Sequence, residues 1–281
     1  ELDRVKKETL AAYEKSYNER NTVRNIAHAQ EYIRHYLDGS PIPGIKWEYE
    51  MIQQILPMLN VDMLNQMAQQ LITDHNLIIS FQAPEAKEVV LPTEAEAIEM
   101  LAAVKNEEIE APVEETIREN LVEKAPKAGK IRKTTYNETL GTTEWKLSNG
   151  VRVVVKPTTF KQDEILFYAF SQGGRSLVAT ADLPSAVLAT DVVELGGLAD
   201  MSATDLQKAL TGKRVSVSPS IGAYSESLSG SSTVKDLETL LQLNYLYFTA
   251  PRRDEESYQT LISILESQLA NRDKNPKVAW S

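Results

Sequence analysis

The pattern of hydrophobic residues predicts a mainly helical N-terminal part. Seven apolar positions within 1–38 keep the spacing of a helix face, which indicates two helices: Val5, Leu10, Tyr13, Tyr17, Ile26, Ile33 and Leu37. Further helices are predicted at 47–56 and, after a cap at Asn60 or Asp62, through Leu71. Residues 76–82 are β-branched and apolar, so they predict a buried strand.

Residues 85–142 carry little apolar periodicity and are predicted to be an exposed, partly helical linker. Thr93 followed by Glu96 is a capping box, which predicts a helix through Val104. Residues 85–126 hold twelve glutamates against four basic residues, a net charge of −8. Such a run is typical of a solvated linker, and the alternative interpretation is a docking surface for a basic partner.

A second pattern begins near Thr143 and mixes strands with helices. Strands are predicted at 144–147 and 151–155 around Asn149-Gly150, at 164–171, and at 214–218 and 223–231 with a turn at 219–222. Helices are predicted at 184–195, after Ser202, from Thr233 to about Phe248, and from Asp254 through Asn271. Strands and helices segregate, which predicts an α+β domain with an antiparallel sheet and helices packed on one face. An N-terminal partial α+β unit precedes it, and the predicted parts are 1–84, 85–142 and 143–281.

Composition narrows the classes of function. The chain has 281 residues, no cysteine and a net charge of −10, which excludes thiolate zinc sites and argues against a nucleic-acid partner. No apolar run approaches the roughly 20 residues of a membrane helix. The first residues read as a helix in progress and the last stop without a tail, so both ends are interpreted as cuts.

The chain has three histidines, His28, His35 and His75, and none after position 75. His28 and Glu31 resemble part of an inverted zinc motif, HxxEH, but Tyr32 stands where the second histidine belongs. His35 lies two helical turns from His28, about 10 Å along the axis, so an amphipathic helix is the favoured interpretation over a metal site. His75 is interpreted as a loop residue.

Two further motifs are explained better by ordinary structural roles than by a nucleotide site or a catalytic triad. Gly173-Gly174-Arg175-Ser176 lacks the ending of a phosphate-binding loop, so a turn is favoured over a nucleotide site. The serines between Ser216 and Ser232 have no histidine near them, which makes a catalytic triad implausible. Several of these serines alternate along the predicted hairpin and fit its polar face.

The order of motifs in 145–275 resembles the start of a unit of the M16 (insulinase/pitrilysin-like) zinc peptidases. The matching features are a hairpin at 147–153 (LSNGVRV), the strand at 164–171, the turn at 174–176, the helix at 184–195, Gly196-Gly197, the helix start at 202–206 and the closing helices from 236. Residues 1–84 resemble the end of a preceding unit, and the acidic linker resembles the connection between two units of a bacterial enzyme.

In this resemblance the zinc motif is degenerate. If Gly197 matches the glycine that follows HxxEH in the family, the motif positions fall on Leu188, Asp191 and Val192. No catalytic or metal-binding residue is therefore expected here, although the resemblance implies zinc, a peptide substrate and further M16 units in the parent polypeptide, with a periplasmic or cell-envelope location.

The resemblance implies a non-catalytic segment of a zinc metalloendopeptidase that contributes to a peptide-enclosing chamber and its hinge. The segment alone is expected to be inactive. Two alternatives stay open at this point: part of a non-catalytic M16-like scaffold or regulatory subunit, and an unrelated α+β binding module. The last would lack the helix-over-sheet arrangement of 143–281.

Overall fold

The computed structural model describes residues 1–71, 77–83, 89–104, 107, 120–274 and 278. The chain forms two compact units, one made of Glu1–Met58 with Ile117–Ser281 and the other of Leu59–Thr116. These units do not follow the predicted boundaries at 84 and 142. The interpretation of 1–84, 85–142 and 143–281 as parts of successive M16 units remains a prediction, because compactness does not test it.

Three helices open the first unit, as the periodicity predicts. They are α1 (Leu2–Asn18), α2 (Asn25–Asp38) and α3 (Ile45–Ile55). The break between α2 and α3 begins at Gly39, whose positive φ of 73° ends α2 in the left-handed conformation that glycine tolerates best. Tyr17 stacks on Tyr49 with ring centroids 5.1 Å apart, which joins α1 to α3.

The described part of the second unit contains two helices, α4 (Val61–Leu71) and α5 (Glu94–Val104). Asn60 is the cap of α4, since its side chain accepts a hydrogen bond from the Met63 N–H at 2.9 Å. The Thr93–Glu96 capping box of α5 is confirmed, with 2.7 Å from the Thr93 N–H to the Glu96 carboxylate.

The predicted strand at 76–82 is wrong for its described residues. Residues 77–83 have no regular secondary structure, and Ile78 is 90% exposed. A β-branched sequence forms a strand only where a neighbouring strand accepts its backbone hydrogen bonds, and 77–83 pair with none of the strands in the described part of the chain. Asn76 and His75 lie outside the described residues.

The first sheet has three antiparallel strands in the order β1-β2-β3. The strands β2 (Thr142–Leu147) and β3 (Arg152–Val155) form the predicted hairpin, and Gly150 at its turn has a φ of 91°. The strand β1 (Ile131–Asn137) was predicted as linker and pairs with β2 instead. Its threonines, tyrosine and isoleucine favour a strand, but every one of its residues is exposed, so no hydrophobic alternation marks it.

The second sheet has the order β4-β6-β5, with β4 (Ile165–Gln172), β5 (Val215–Ile221) and β6 (Ser225–Ser232). The turn of its hairpin lies beyond Ile221, not at the predicted 219–222. Pro219 is part of β5 and pairs with Leu228. Proline is tolerated there because β5 is at the edge of the sheet, where a missing N–H breaks no ladder.

Four helices complete the unit: α6 (Leu183–Gly196), α7 (Ala203–Ala209), α8 (Leu237–Thr249) and α9 (Glu255–Ala270). Ser202 and Asp205 form the predicted capping box of α7, and Asp254 caps α9 by accepting from the Ser257 N–H at 2.8 Å. The helix after Thr233 begins at Leu237, four residues later than its predicted cap.

The hydrophobic core lies between α8 and the second sheet. Its buried residues come from both layers, from α7 and the α6–α7 loop, and from the segment before β1, and they are Leu121, Leu198, Met201, Ala209, Val217, Leu228, Leu240, Leu243 and Leu246. Leu166, Tyr168 and Phe170 of β4 lie on the opposite face and are exposed. The predicted α+β class with helices on one face of antiparallel strands is therefore confirmed, and the described part of the chain has two small sheets in place of one.

Leu121 is a further departure from the predicted exposed linker. Its side chain is 3% exposed, and its N–H donates to the Gln242 side chain of α8 at 3.0 Å.

No described helix is both long enough and apolar enough to cross a bilayer.

Candidate functional site

The helix α6 occupies the position where the resemblance places a zinc motif. Pro184 lies in its first turn, where a missing N–H costs no hydrogen bond. Leu188 and Val192 are one turn apart and half-buried, while Asp191 between them is exposed. The spacing of the two positions suits a pair of metal ligands, but leucine and valine side chains have no atom that can bind a metal.

The residues of this region do not fit a zinc ion. Catalytic zinc is held by three protein ligands, usually histidine with a carboxylate, and α6 offers only the carboxylates of Asp191 and Glu194. Across the described ranges, no three side chains of histidine, aspartate or glutamate converge as a metal site. The expectation that this segment binds no metal remains a prediction that a direct measurement must test.

The end of α6 is fixed by close backbone packing at Gly196-Gly197. The Arg252 side chain donates to the Gly196 carbonyl at 2.9 Å, and the Arg252 N–H donates to the Gly197 carbonyl at 3.2 Å. Gly197 has a φ of 87°, and a Cβ there would lie 2.3 Å from the Met201 carbonyl oxygen. This junction sets where α6 ends relative to α7 and to the segment before α9.

The Gly173–Ser176 segment forms a tight turn whose last three residues belong to the short 3₁₀ helix Gly174–Leu177. All four of its backbone N–H groups are engaged: Gly173 with Tyr224, Gly174 with the Glu226 carboxylate, Arg175 with Gly222 and Ser176 with Ala223. A phosphate cradle needs such groups directed at its ligand. The turn therefore ties the end of β4 to the β5–β6 hairpin and leaves no amide for a nucleotide.

The serines of the second sheet form one polar face, as their alternation predicts. Ser216, Ser218 and Ser220 of β5 lie opposite Ser231, Ser229 and Ser227 of β6 in register. The hydroxyls of Ser216 and Ser231 are 3.3 Å apart. Leu166, Tyr168 and Phe170 of β4 continue the same three rows, so this face carries no formal charge.

The histidines of α2 do not converge on a common point. His28 faces Glu31 at 3.8 Å between Nδ1 and the carboxylate. The Nδ1 atom of His35 lies 2.7 Å from the Ser40 carbonyl oxygen, beyond the end of the helix. The structure does not bring His28, Glu31 and His35 to one point, and the interpretation of this segment as an amphipathic helix without a metal site stays a prediction.

A buried polar cluster at the end of α1 was missed from the sequence. The Glu19 carboxylate is buried and accepts hydrogen bonds from the backbone N–H groups of Gln162 at 3.0 Å and Asp163 at 2.6 Å. Burial alone would raise the pKa of Glu19, but hydrogen bonds from Thr22 and the Asp163 N–H, with the charge of Lys161, hold the pKa below its usual value. No sequence pattern marks this contact, since its partners are backbone groups far along the chain.

No model of a known protein family matches the chain. A curated relative from Arabidopsis thaliana, described as zinc protease PQQL-like, is 27% identical over 283 residues, which cover 100% of this chain and 27% of the relative. The structure of the periplasmic protease PqqL from Escherichia coli aligns with 98% of this chain and 30% of its own, at a TM-score of 0.52 and 18% identity. The chain has the M16 protease fold.

A second solved structure agrees with this assignment. The ferredoxin protease FusC, determined as a mutant in complex with Arabidopsis ferredoxin, aligns with 90% of this chain and 28% of its own, at a TM-score of 0.51 and 24% identity. The resemblance to M16 zinc proteases stated from the motif order is thereby confirmed. The M16-like chain spans 27% of the length of the curated relative.

Proposed function

We propose that this chain is a non-catalytic segment of an M16-type zinc metalloendopeptidase. In this proposal, residues 1–84 end one unit, the acidic stretch connects, and 143–281 begin a second unit whose zinc motif is degenerate. The segment contributes wall and hinge to a chamber that encloses peptides, and zinc with its ligands belongs to another unit of the parent polypeptide.

The observation that carries the proposal is the composition of α6. The helix has a proline in its first turn and ends at Gly196-Gly197, and 143–281 contain no histidine at all. A helix that packs in this position while lacking every imidazole supports a structural role, because water activation by zinc requires ligands that hold the ion.

The surfaces available to a wall also support this role. The face formed by Leu166, Tyr168, Phe170 and the six opposing serines carries no formal charge, which suits contact with a peptide through apolar and hydroxyl groups. The acidic stretch would favour basic peptides, and seven of its twelve glutamates lie outside the described residues. A periplasmic location is proposed by analogy with PqqL, whose description places that protein in the periplasm.

The absence of histidine also favours a second candidate, a non-catalytic M16-like scaffold or regulatory subunit that pairs with an active chain. An intact HxxEH in a unit encoded upstream of Glu1 distinguishes the two. The unrelated binding module has lost its support, because 143–281 have the helix-over-sheet arrangement that it would lack.

The first prediction concerns zinc and hydrolysis. The 281-residue chain, dialysed against metal-free buffer, is expected to retain no stoichiometric zinc by inductively coupled plasma mass spectrometry and to cleave no quenched fluorescent peptide. The longer polypeptide with an intact upstream motif is expected to retain zinc and to cleave the peptide. Stoichiometric zinc that is lost in an Asp191→Ala variant would overturn the proposal for this segment.

The second prediction uses the degenerate positions themselves. The variant Leu188→His/Asp191→Glu/Val192→His places two imidazoles one turn apart on α6, the spacing that binds one ion. It is expected to bind Zn²⁺ at least about tenfold more tightly than the wild type in isothermal titration calorimetry. The control Leu188→His/Val193→His adds two imidazoles that do not share a face, and an equal gain there would contradict the assigned register.

A further inference from the structure

The polar cluster at the end of α1 joins three distant segments of the chain. Glu19 Oε1 receives the N–H groups of Gln162 and Asp163, which lie between β3 and β4. Glu19 Oε2 accepts a hydrogen bond from the Thr22 hydroxyl and lies 3.6 Å from the Lys161 ammonium nitrogen. One buried carboxylate thus satisfies two backbone donors that are separated from it by more than 140 residues.

The Asp163 carboxylate extends the same cluster. Its Oδ2 atom accepts from the Asn18 side chain at 2.9 Å, and its Oδ1 atom accepts from the Val234 N–H at 2.9 Å. The Lys235 ammonium forms an ion pair with Glu14 of α1. The end of α1 therefore contacts both the segment before β4 and the segment before α8.

We propose that these contacts form an acid-sensitive clasp, in which the Glu19 carboxylate holds residues 161–163 against the end of α1 and releases them when it takes up a proton. The clasp is defined here as Glu19, Thr22, Lys161, Gln162 and Asp163. The inference does not rest on the proposed function, since it concerns contacts within one compact unit.

Protonation weakens the clasp because its partners are donors. A neutral carboxyl keeps one carbonyl oxygen for the two amides but loses the charge that strengthens both hydrogen bonds. Its new O–H can donate to the Thr22 hydroxyl, which can turn its own proton toward the Glu19 backbone carbonyl oxygen at 3.0 Å. The attraction to Lys161 is lost as well.

Charged groups of both signs lie around Glu19, and they come from each segment that packs against it. Lys161 favours the ionised carboxylate, and the Asp163 carboxylate opposes it but is itself held by Asn18 and Val234. Glu14 and Lys235 compensate each other nearby. A surface cavity of about 560 Å³, lined in part by Arg20, Gln162 and Lys235, gives water access to the cluster.

The direction of the pH effect follows from the lowered pKa of Glu19. A carboxyl whose pKa is lower in the folded than in the unfolded chain contributes stability above its unfolded pKa. That contribution is lost as the pH falls through the folded pKa. The clasp is therefore closed at neutral pH and opens on the acid side, while the nine buried residues of the hydrophobic core have no ionisable side chain.

Hydrogen exchange at the two amides tests the clasp directly. In the wild-type chain, the protection factors of the Gln162 and Asp163 amides, corrected for intrinsic exchange, are expected to fall about tenfold as the pH is lowered from neutral to about 2.5, below the ordinary pKa of a glutamate. In Glu19→Gln, which keeps one carbonyl oxygen but no charge, protection is expected to be low and independent of pH. Amides of β6 report whether the core has remained folded.

The matched control is Glu138→Gln, the same change at an exposed carboxylate on the β1–β2 turn. It is expected to leave the protection of both amides and its pH dependence as in the wild type. The clasp is refuted if Glu19→Gln keeps the wild-type pH dependence at Gln162 and Asp163. If that variant does not fold, the titration of the wild-type Glu19 side chain by carbon NMR decides: a midpoint at or above about 4.3, the ordinary value for glutamate, rejects the proposal.

Discussion

Replacing Leu240 with alanine is expected to lower the free energy of unfolding by about 3 to 5 kcal/mol. Leu240 is 0% exposed and lies on α8 at the centre of the hydrophobic core beside Leu243, Val217 and Leu228. Truncation removes most of a side chain from a packed environment, and the surrounding helix and sheet cannot close the cavity fully. Urea denaturation followed by circular dichroism measures the loss.

Leu241 provides the matched control on the same helix. It is the next residue, has the same side chain and is 50% exposed. Leu241→Ala is expected to change the free energy of unfolding by less than about 1 kcal/mol, because its side chain is not enclosed. Similar losses in the two variants would show that α8 does not face the second sheet in the way described.

Gly197→Ala is expected to cost about 3 kcal/mol or more and to disturb the junction between α6 and α7. Two effects add at this position. The φ of 87° is strained for any L residue, and a Cβ would lie 2.3 Å from the Met201 carbonyl oxygen and 2.6 Å from the Ser202 carbonyl carbon. Both neighbours are backbone atoms, so relief requires the chain between α6 and α7 to move.

Gly150→Ala separates these two effects. Gly150 has a φ of 91°, close to that of Gly197, but a Cβ there would meet nothing within 4 Å. Its loss is expected to be only about 1 to 2 kcal/mol, the cost of the left-handed conformation. Thermal unfolding of both variants gives the comparison, and equal losses would exclude a steric role for the 196–202 junction.

Local chemistry made much of the fold predictable. Ser202 with Asp205, Thr93 with Glu96 and Asp254 each place a capping side chain three residues before the amide that it accepts from, so the start of a helix is encoded within one turn. The Asn149-Gly150 turn is equally local, because only a few residues adopt its backbone conformation.

Features that depend on distant partners were not predictable in the same way. Residues 77–82 have the composition of a strand but have no paired neighbour in the described structure, whereas β1 has an exposed, polar sequence and forms a strand because β2 lies beside it. The sequence predicts a turn at Pro219, because a strand tolerates proline mainly at the edge of a sheet. Only the strand order shows that β5 is such an edge strand.

In the candidate site, too, residue composition could be predicted from the sequence, whereas contacts with distant partners could not. The scarcity of histidine is visible in the sequence, and the expectation that Leu188, Asp191 and Val192 form no zinc site stays a prediction. The contact between Glu19 and the amides of Gln162 and Asp163 has no sequence signal, since backbone donors have no side-chain identity. A glutamate at the end of an amphipathic helix looks like any solvated charge until its partners are placed.

The strand β1 has a practical consequence for dividing this protein into parts. A shortened chain that starts at Thr143 would remove β1 and also the first residue of β2, which would turn the middle strand of the first sheet into an edge. Unpaired backbone groups along that edge would invite association between copies. A start before Leu121 would preserve both the strand and the leucine that seals the core beneath α8.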